Sequence, residues 1–188
     1  MLGCGLVGTV GLGLVAFVVL FWIVSIFKSL VQLRNNIDKA WANIGVLLKQ
    51  RNDEIPNLVE IVKGYMKHEK DVLENVTKAR TQMLAASTMG EKAAAHAQQS
   101  ASLKTLFAVA EGYPQLKASD NFLALQKRIS ALENEIADRR EFFNDSVNLY
   151  NIRIASLPDM FMAIPMGMQR KELFKIAEGE AGPVKVSL

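Results

Sequence analysis

The sequence predicts an all-α protein in which one N-terminal transmembrane helix continues into an elongated antiparallel bundle of three to four long helices. The first 27 residues carry no charge, the apolar residues after them recur every three or four positions, and no stretch shows the alternation of a β-strand. We expect three regions: a transmembrane anchor at residues 1–27, a helical bundle at residues 28–156, and a Met-rich apolar segment with a flexible tail at residues 157–188.

The composition argues against several classes of site. The chain has 22 basic and 19 acidic side chains, a net charge of +3, without arginine-rich runs or interleaved aromatic residues, so nucleic acid is not expected as a partner. The single cysteine, Cys4, forms no intramolecular disulfide, and neither His68 nor His96 has the neighbouring ligands that a metal site requires. We therefore expect no metal and no cofactor.

The apolar stretch at residues 6–27 is long enough to cross a membrane, because it would rise roughly 33 Å as a helix. The alternative is a cleaved signal peptide. Such a peptide needs a basic region before a shorter apolar core, and no basic residue precedes this stretch. We expect the helix to be retained, with Trp22, Phe27 and Lys28 at the membrane interface.

The charges around the anchor predict its orientation. Lys28, Arg34 and Lys39 follow the apolar stretch closely. Basic residues tend to stay on the cytoplasmic side of a membrane. We therefore expect a single-pass protein whose N-terminus lies outside the cell and whose body lies in the cytoplasm.

Small residues recur every four positions on the anchor, at Gly5, Thr9 and Gly13. Small residues allow membrane helices to approach closely, so this stripe predicts self-association through the anchor. Glycine is also common in membrane helices in general, which leaves the alternative that the stripe has no partner.

The apolar pattern after Lys28 predicts long helices. One stripe covers residues 30–48, and a second at residues 58–83 keeps a period near 3.5, which is typical of helices that pack at a shallow crossing angle. Pro56 lies between the stripes and predicts either a kink or a turn.

Two further helices are predicted in the second half of the chain. Thr88 or Ser87 is expected to cap an alanine-rich helix that ends near Glu111, before a Gly-Tyr-Pro break. The clearest heptad pattern follows this break. Its apolar stripe consists of Phe122, Leu125, Ile129, Leu132, Ile136, Phe143, Val147, Tyr150 and Ile154.

Polar residues within this pattern are candidate anchors of the bundle. Glu69 and Arg139 interrupt apolar stripes, and we propose that they pair; two solvated charges at the bundle edge are an equal alternative. Tyrosine and amide side chains near the helix breaks are expected to satisfy otherwise unpaired groups. The predicted anchors are Asn57, Tyr65, Glu69, Tyr113, Arg139, Asn144, Tyr150 and Asn151.

The segment at residues 157–168 is apolar and Met-rich but too short to span a membrane. Flexible thioether side chains adapt to irregular surfaces. We expect the segment to cap the bundle core; the alternative is contact with lipid or with another subunit. Residues 178–188, with two glycines and a proline, are expected to form a mobile tail.

Several stretches of the chain resemble the LemA family of bacterial membrane-anchored helical proteins. The first, LRNNIDKAWANIGVLLKQRNDEIPNLVEIVKGYMKHE at residues 33–69, is similar to the family's tryptophan-bearing helix and its IPNLV and VKGY segments. Two later stretches, AEGYPQLKASDNFLALQ and FFNDSVNLYN, resemble the family's AEAYPxLKAxxxFxxLQ and YNxxVxxYN segments. Gly45, Gln50 and Phe143 depart from the family's usual aspartate, basic residue and tyrosine.

The resemblance implies an N-terminal anchor, a helical bundle and no established catalytic activity. Some relatives are associated with envelope stress or with shaping internal membranes, including magnetosome formation. The residues themselves show no catalytic pattern, because candidate pairs such as His68 and Glu69 are sequence neighbours whose side chains do not converge on a helix.

We therefore expect a non-enzymatic scaffold in the bacterial inner membrane that self-associates and organises or remodels the membrane. Its expected partners are the lipid bilayer and further copies of itself. Two alternatives remain: an accessory or adaptor subunit that binds another membrane protein, for example in a stress-response or protease assembly, and an enzyme with an unrecognised site.

Overall fold

The computed structural model describes residues 2–174, with side chains described from residue 11 onward. Every regular element in this part of the chain is an α-helix, which confirms the all-α fold class. The helices are α1 (Leu2–Tyr65), α2 (Lys70–Ala85), α3 (Met89–Ala110), α4 (Pro114–Lys117), α5 (Asp120–Ala155) and α6 (Met160–Ala163). The tail predicted at residues 178–188 lies outside the described residues.

Helix α1 is 64 residues long and passes through Pro56 without interruption. The structure therefore excludes a turn at this proline. Because proline has no N–H group, the carbonyl of Asn52, four residues earlier, loses its helical donor. Arg80 of α2 replaces that donor, with its Nε 3.3 Å from the Asn52 oxygen. A side chain of the next helix thus satisfies the carbonyl that Pro56 leaves open.

The apolar series at residues 58–83 is divided between two helices. Helix α1 ends at Tyr65 and α2 begins at Lys70. Met66 and Leu73 are buried on the two sides of this break, whereas the Tyr65 side chain is 43% exposed. The near-heptad spacing continues across the connection and therefore does not reveal it.

Helix α3 begins with a capping box at Thr88, one of the two predicted caps. The Thr88 hydroxyl accepts from the backbone N–H of Glu91 at 3.2 Å. The Glu91 carboxylate in turn accepts from the backbone N–H groups of Thr88 and Ser87, at 3.0 and 2.8 Å. These two backbone hydrogen bonds hold the pKa of the Glu91 carboxyl below its usual value.

The stripe predicted for α5 is confirmed. Eight of its nine residues are buried and Leu125 is partly buried, because a helix that packs along one face buries residues at this spacing. Tyr150 near the end of the stripe is only 2% exposed, and burial raises the pKa of its hydroxyl.

The chain contacts define two compact units. The first unit contains Met1–Ala40 and Phe143–Leu173, and the second contains Trp41–Phe142 and Phe174–Leu188. In the second unit, side chains from α1 to α5 share one hydrophobic core. Its most deeply buried members are Ile55, Leu58, Val62, Met66, Val76, Leu106, Leu116 and Phe122.

Ion pairs within the second unit give the direction of its helices. Arg51 and Glu54 of α1 pair with Glu133 and Arg128 of α5, respectively. Increasing residue numbers in α1 therefore meet decreasing numbers in α5. The two helices are antiparallel, as predicted for the bundle.

In the first unit, polar contacts of the last turn of α5 reach α1 and the segment that follows α5. The guanidinium of Arg153 donates to the Ser29 hydroxyl of α1 and to the Asp159 carboxylate, each at 2.5 Å. The Asn151 amide exchanges two hydrogen bonds of 2.9 Å with the backbone of Lys171. These contacts fix the segment between α5 and residue 171 within the unit.

The Met-rich segment has two different sides. Ala163 of α6 is 2% exposed, whereas the side chains of Phe161 and Ile164 are 69% and 68% exposed. The segment therefore packs through one side, as a cap would, and presents large apolar side chains on the other.

Candidate functional site

The second unit contains a cluster of polar and charged side chains that the helical pattern of the sequence did not predict. It is built by α1, α3 and α5, and Arg51 lies at its centre with a side chain that is 0% exposed. We call these residues the polar cluster: Arg51, Asn52, His96, Gln99, Ser100, Glu133 and Arg140.

The Arg51 guanidinium joins the three helices. Its Nε and Nη2 donate to Gln99 Oε1 at 3.0 and 2.7 Å. Its Nη1 donates to the Ser100 hydroxyl at 3.0 Å and to the Glu133 carboxylate. The Ser100 hydroxyl also donates to Glu133, at 2.7 Å. Because the charged groups are paired and hydrogen-bonded, the cost of burying the guanidinium is offset.

Arg51 also determines the orientation of two amides. Since it donates to Gln99 Oε1, the Gln99 Nε2 must point the other way, and it donates to Asn52 Oδ1 at 3.0 Å. Asn52 is 1% exposed, and its Nδ2 has no hydrogen-bond partner among the described residues. The polar cluster thus extends from α5 to Asn52 of α1, whose backbone carbonyl accepts from Arg80.

His96 lies between two arginines. Its Nδ1 is 2.8 Å from Arg51 Nη2, and its Nε2 is 3.0 Å from Arg140 Nη1. A neutral imidazole accepts at one nitrogen only, and a protonated one accepts at neither. Burial, followed by the positive charge of Arg51, lowers the pKa of His96 to about 4. The ring is therefore neutral at physiological pH.

Glu133 is the cluster's carboxylate, and its side chain is 35% exposed. Burial by itself would raise the pKa of Glu133, but the charge of Arg51 and the hydrogen bond from Ser100 hold it below its usual value. Glu133 therefore stays ionised at neutral pH and balances one of the two arginines.

Phe174 covers the Arg140 side of the cluster. The Arg140 guanidinium lies 4.8 Å from the centre of the Phe174 ring, which is a cation–π distance. The same ring packs against His96 and Trp41, with ring centres 6.3 and 5.8 Å apart. Phe174 is 1% exposed, so it closes this side of the cluster to solvent.

The arrangement of the polar cluster favours a structural role. Arg51 and His96 are sealed from solvent, and an arginine does not exchange its proton at neutral pH. Within residues 2–174 no group of three or more His, Cys, Asp or Glu side chains is placed to hold a metal ion. A network of this kind can set the register of α1, α3 and α5, because any shift would leave buried charges unpaired.

The proposed pair of Glu69 and Arg139 is not formed. Glu69 accepts a hydrogen bond of 3.1 Å from the Tyr113 hydroxyl. Arg139 lies on an exposed face of α5, 3.7 Å from Glu135 one turn earlier. Burial and the nearby Glu69 raise the pKa of Tyr113. The connection between α3 and α4, and not α5, therefore supplies the partner of Glu69.

The other predicted anchors lie outside the polar cluster. Asn57 and Tyr65 are exposed on α1, and Asn144 is partly buried on α5. Tyr150 and Asn151 belong to the first unit, where Tyr150 is buried in the packed face and Asn151 holds the backbone of Lys171.

The candidate membrane residues are exposed. Among the described residues, one helix is long and apolar enough to cross a membrane, and only 6% of its most apolar 18-residue stretch is buried. Trp22 and Phe27 are 52% and 45% exposed. A Cβ added to Gly13 would meet nothing within 4 Å. Gly5 and Thr9 precede residue 11, where the description of side chains begins.

A heptad count would have pointed to the polar cluster. Arg51 stands seven residues after the buried Ile44 and seven before the buried Leu58. Glu133 and Arg140 likewise continue, at intervals of seven, a series of buried residues near the end of α5. Charged residues in these positions indicate partners within the core.

Comparison with known proteins identifies a family and several relatives. The sequence model of the LemA family matches residues 40–188. The magnetosome proteins MamQ 1 and MamQ 2 of Paramagnetospirillum magneticum are each 23% identical to this chain over 175 residues, which cover 79% of the chain and 64% of the relative. The magnetosome protein MamQ of Magnetospirillum gryphiswaldense is 23% identical over 189 residues, which cover 87% of the chain and 69% of the relative.

The chain therefore spans slightly less than two thirds of the first two relatives. Together with the exposed apolar helix, these relatives indicate a membrane-associated helical protein. Because the family match extends over well more than half of its residues, the chain belongs to the LemA family.

Proposed function

We propose that this protein is a non-enzymatic, membrane-anchored scaffold that self-associates and organises or remodels the bacterial inner membrane. The observation that carries the proposal is the continuity of α1, which begins in an exposed apolar segment and ends in the core of the second unit. Nearly every large apolar side chain described before Lys28 is exposed. Lipid is the environment in which such a surface is stable.

The continuous helix supports a mechanical link between bundle and membrane. The polar cluster joins α1 to α3 and α5 through Arg51, so the second unit holds α1 firmly. An uninterrupted helix transmits a tilt along its length better than a flexible linker does. Several copies held in a fixed arrangement would therefore impose their tilt on the bilayer.

The exposed cations support one direction of insertion. Lys28, Arg34 and Lys39 are exposed on α1 directly after the apolar segment. This distribution supports a cytoplasmic body. Protease added outside spheroplasts should leave the body intact, and digestion there would reverse the orientation.

The relatives give independent support for a role in membrane organisation. The curated relatives named above are magnetosome proteins by name, and each aligns with more than three quarters of this chain. A scaffold at a membrane agrees with this similarity and requires no catalytic group in the polar cluster.

Two glycines of α1 offer a matched test of self-association. Gly13 belongs to the small-residue stripe and Gly11 does not, and a Cβ at either position would meet nothing within 4 Å inside one copy. We expect Gly13→Leu to weaken association of the full-length protein in detergent and Gly11→Leu to leave it nearly unchanged. A loss of about 1.4 kcal/mol in close helix packing corresponds to about tenfold weaker association.

Light scattering and energy transfer between differently labelled copies measure this association over a range of concentrations. A monomer at every concentration would refute the scaffold. Equal effects of the two substitutions would remove the stripe as the contact surface. Crosslinking in intact cells gives a second test, because mainly self-adducts support the scaffold and one dominant foreign partner supports an adaptor.

A further inference from the structure

We propose that the exposed side of residues 157–165 is a second lipid contact, which rests on the bilayer surface beside α1. This lipid-facing patch consists of Leu157, Phe161 and Ile164, with Pro158 and Pro165 at its edges. The inference rests on the proposed membrane span of α1 and is independent of self-association.

The patch is apolar on its outer side only. The side chains of Leu157, Phe161 and Ile164 are 67%, 69% and 68% exposed. The one charged residue in this stretch, Asp159, is 8% exposed and accepts from Arg153 at 2.5 Å. The chain thus turns its charge inward and its large apolar groups outward, which is the reverse of a surface that faces water.

The patch lies next to the expected end of the membrane span. Arg153 donates to Ser29, the residue after Lys28, so the last turn of α5 is fixed beside the start of the cytoplasmic part of α1. Leu157 and α6 follow within a few residues and belong to the same unit. Among the described side chains before Lys28, Ile26 alone is buried, so the first unit covers α1 up to that point.

The bilayer is the occupant that this position favours. Trp22 and Phe27 are two of the exposed aromatic residues near the end of the span, and aromatic side chains favour the same interfacial layer. Two exposed basic residues accompany the patch: Arg170 follows it closely in sequence, and Lys28 precedes Ser29, the residue that Arg153 contacts. Cations beside an apolar group are typical of segments that lie on a membrane with anionic lipids.

Fluorescence quenching in vesicles tests this contact with the full-length chain. In a Cys4→Ser background, a single cysteine at Phe161 carries an environment-sensitive dye. The protein is placed in vesicles of phosphatidylethanolamine and phosphatidylglycerol with a nitroxide at a shallow or a deep position of the acyl chain. Phe17→Cys is the control inside the span. Lys39→Cys, exposed on α1 about 16 Å beyond Lys28, is the control outside it.

We expect the shallow nitroxide to quench the dye at Phe161 several-fold more than the dye at Lys39, with a blue-shifted emission. Quenching at Phe161 as weak as at Lys39, with strong quenching at Phe17, would overturn the patch and leave the span. Absence of quenching at Phe17 would overturn the span and the proposed function with it. A blue shift at Phe161 that grows with protein concentration without quenching by lipid would assign the patch to a second copy and overturn the inference.

The substitution is expected to leave the fold intact because the Phe161 side chain points away from the packed side of α6. Circular dichroism checks the helical content of each labelled protein. Ile164→Cys, at a position that is 68% exposed, provides a second label and must give the same result.

Discussion

Lowering the pH should destabilise the bundle through His96. The ordinary pKa of a histidine is 6.5, and the folded protein lowers it to about 4. Below pH 6.5 the unfolded chain therefore binds a proton at this residue that the folded chain does not bind. Stability is fully present above pH 6.5 and is lost progressively as the pH falls from 6.5 towards 4. One pKa unit corresponds to about 1.4 kcal/mol, so the full loss is on the order of 3 kcal/mol.

The geometry explains why the folded protein resists this proton. Protonation would remove the one acceptor nitrogen of the His96 ring, so that an N–H donor would face an arginine at both contacts. It would also add a third positive charge to the cluster. A carboxylate oxygen of Glu133 lies 3.8 Å from Nε2 and compensates only in part. The pKa of Glu133 itself is lowered, so its own contribution is lost at more acidic pH, below about 4.5.

Unfolding by guanidinium in detergent, followed by helical circular dichroism between pH 7.5 and 4.5, measures this effect. Wild-type protein should lose about 2–3 kcal/mol between pH 6.5 and 4.5. His96→Gln, which keeps a hydrogen-bonding group but does not titrate, should lose much less. The control His68→Gln changes an exposed histidine outside the cluster and should behave as wild type. Equal pH dependence in wild type and His96→Gln would refute the reasoning.

Three further predictions concern stability, measured by the same unfolding experiment at pH 7.5. Arg51→Met should cost about 2–4 kcal/mol, less than for a fully sealed pair because the Glu133 carboxylate left behind is partly open to water. A cost below about 1 kcal/mol would contradict the role of Arg51 in joining the three helices. Arg80→Met should cost about 1–3 kcal/mol because it leaves the Asn52 carbonyl without a donor. The cost should be clearly smaller in a Pro56→Ala background, where the helical N–H is restored. Equal costs in the two backgrounds would refute this explanation. Thr88→Ala should cost about 1 kcal/mol and no more than 2 kcal/mol, as expected for a lost cap.

Local patterns were sufficient for much of the fold. The stripe of α5 was predictable because burial on one face of a helix depends only on spacing along the chain. The cap at Thr88 was predictable because its partner Glu91 lies three residues away. The break between α1 and α2 was not predictable, because the apolar spacing continues across it. Packing between the helices decided that Met66 and Leu73 are the residues buried there.

The candidate site depended on contacts between distant residues. Arg51, Gln99 and Glu133 are far apart in sequence, and each appears alone as a polar residue on a helix. Whether a charge in an apolar stripe is solvated or buried depends on a partner that a helical period cannot identify. For the same reason Glu69 was proposed to pair with Arg139, whereas its partner is Tyr113, in the connection between α3 and α4.

The sequence by itself determined an apolar N-terminal helix, an all-α body and membership of the LemA family, because hydropathy, helical periodicity and motif spacing are properties of nearby residues. Only the tertiary structure decided that Arg51 joins three helices, that Arg80 compensates for Pro56, and that residues 157–165 turn their apolar side outward. These features arise where separate helices meet, and the free energy of a buried or exposed side chain depends on the neighbours that packing supplies.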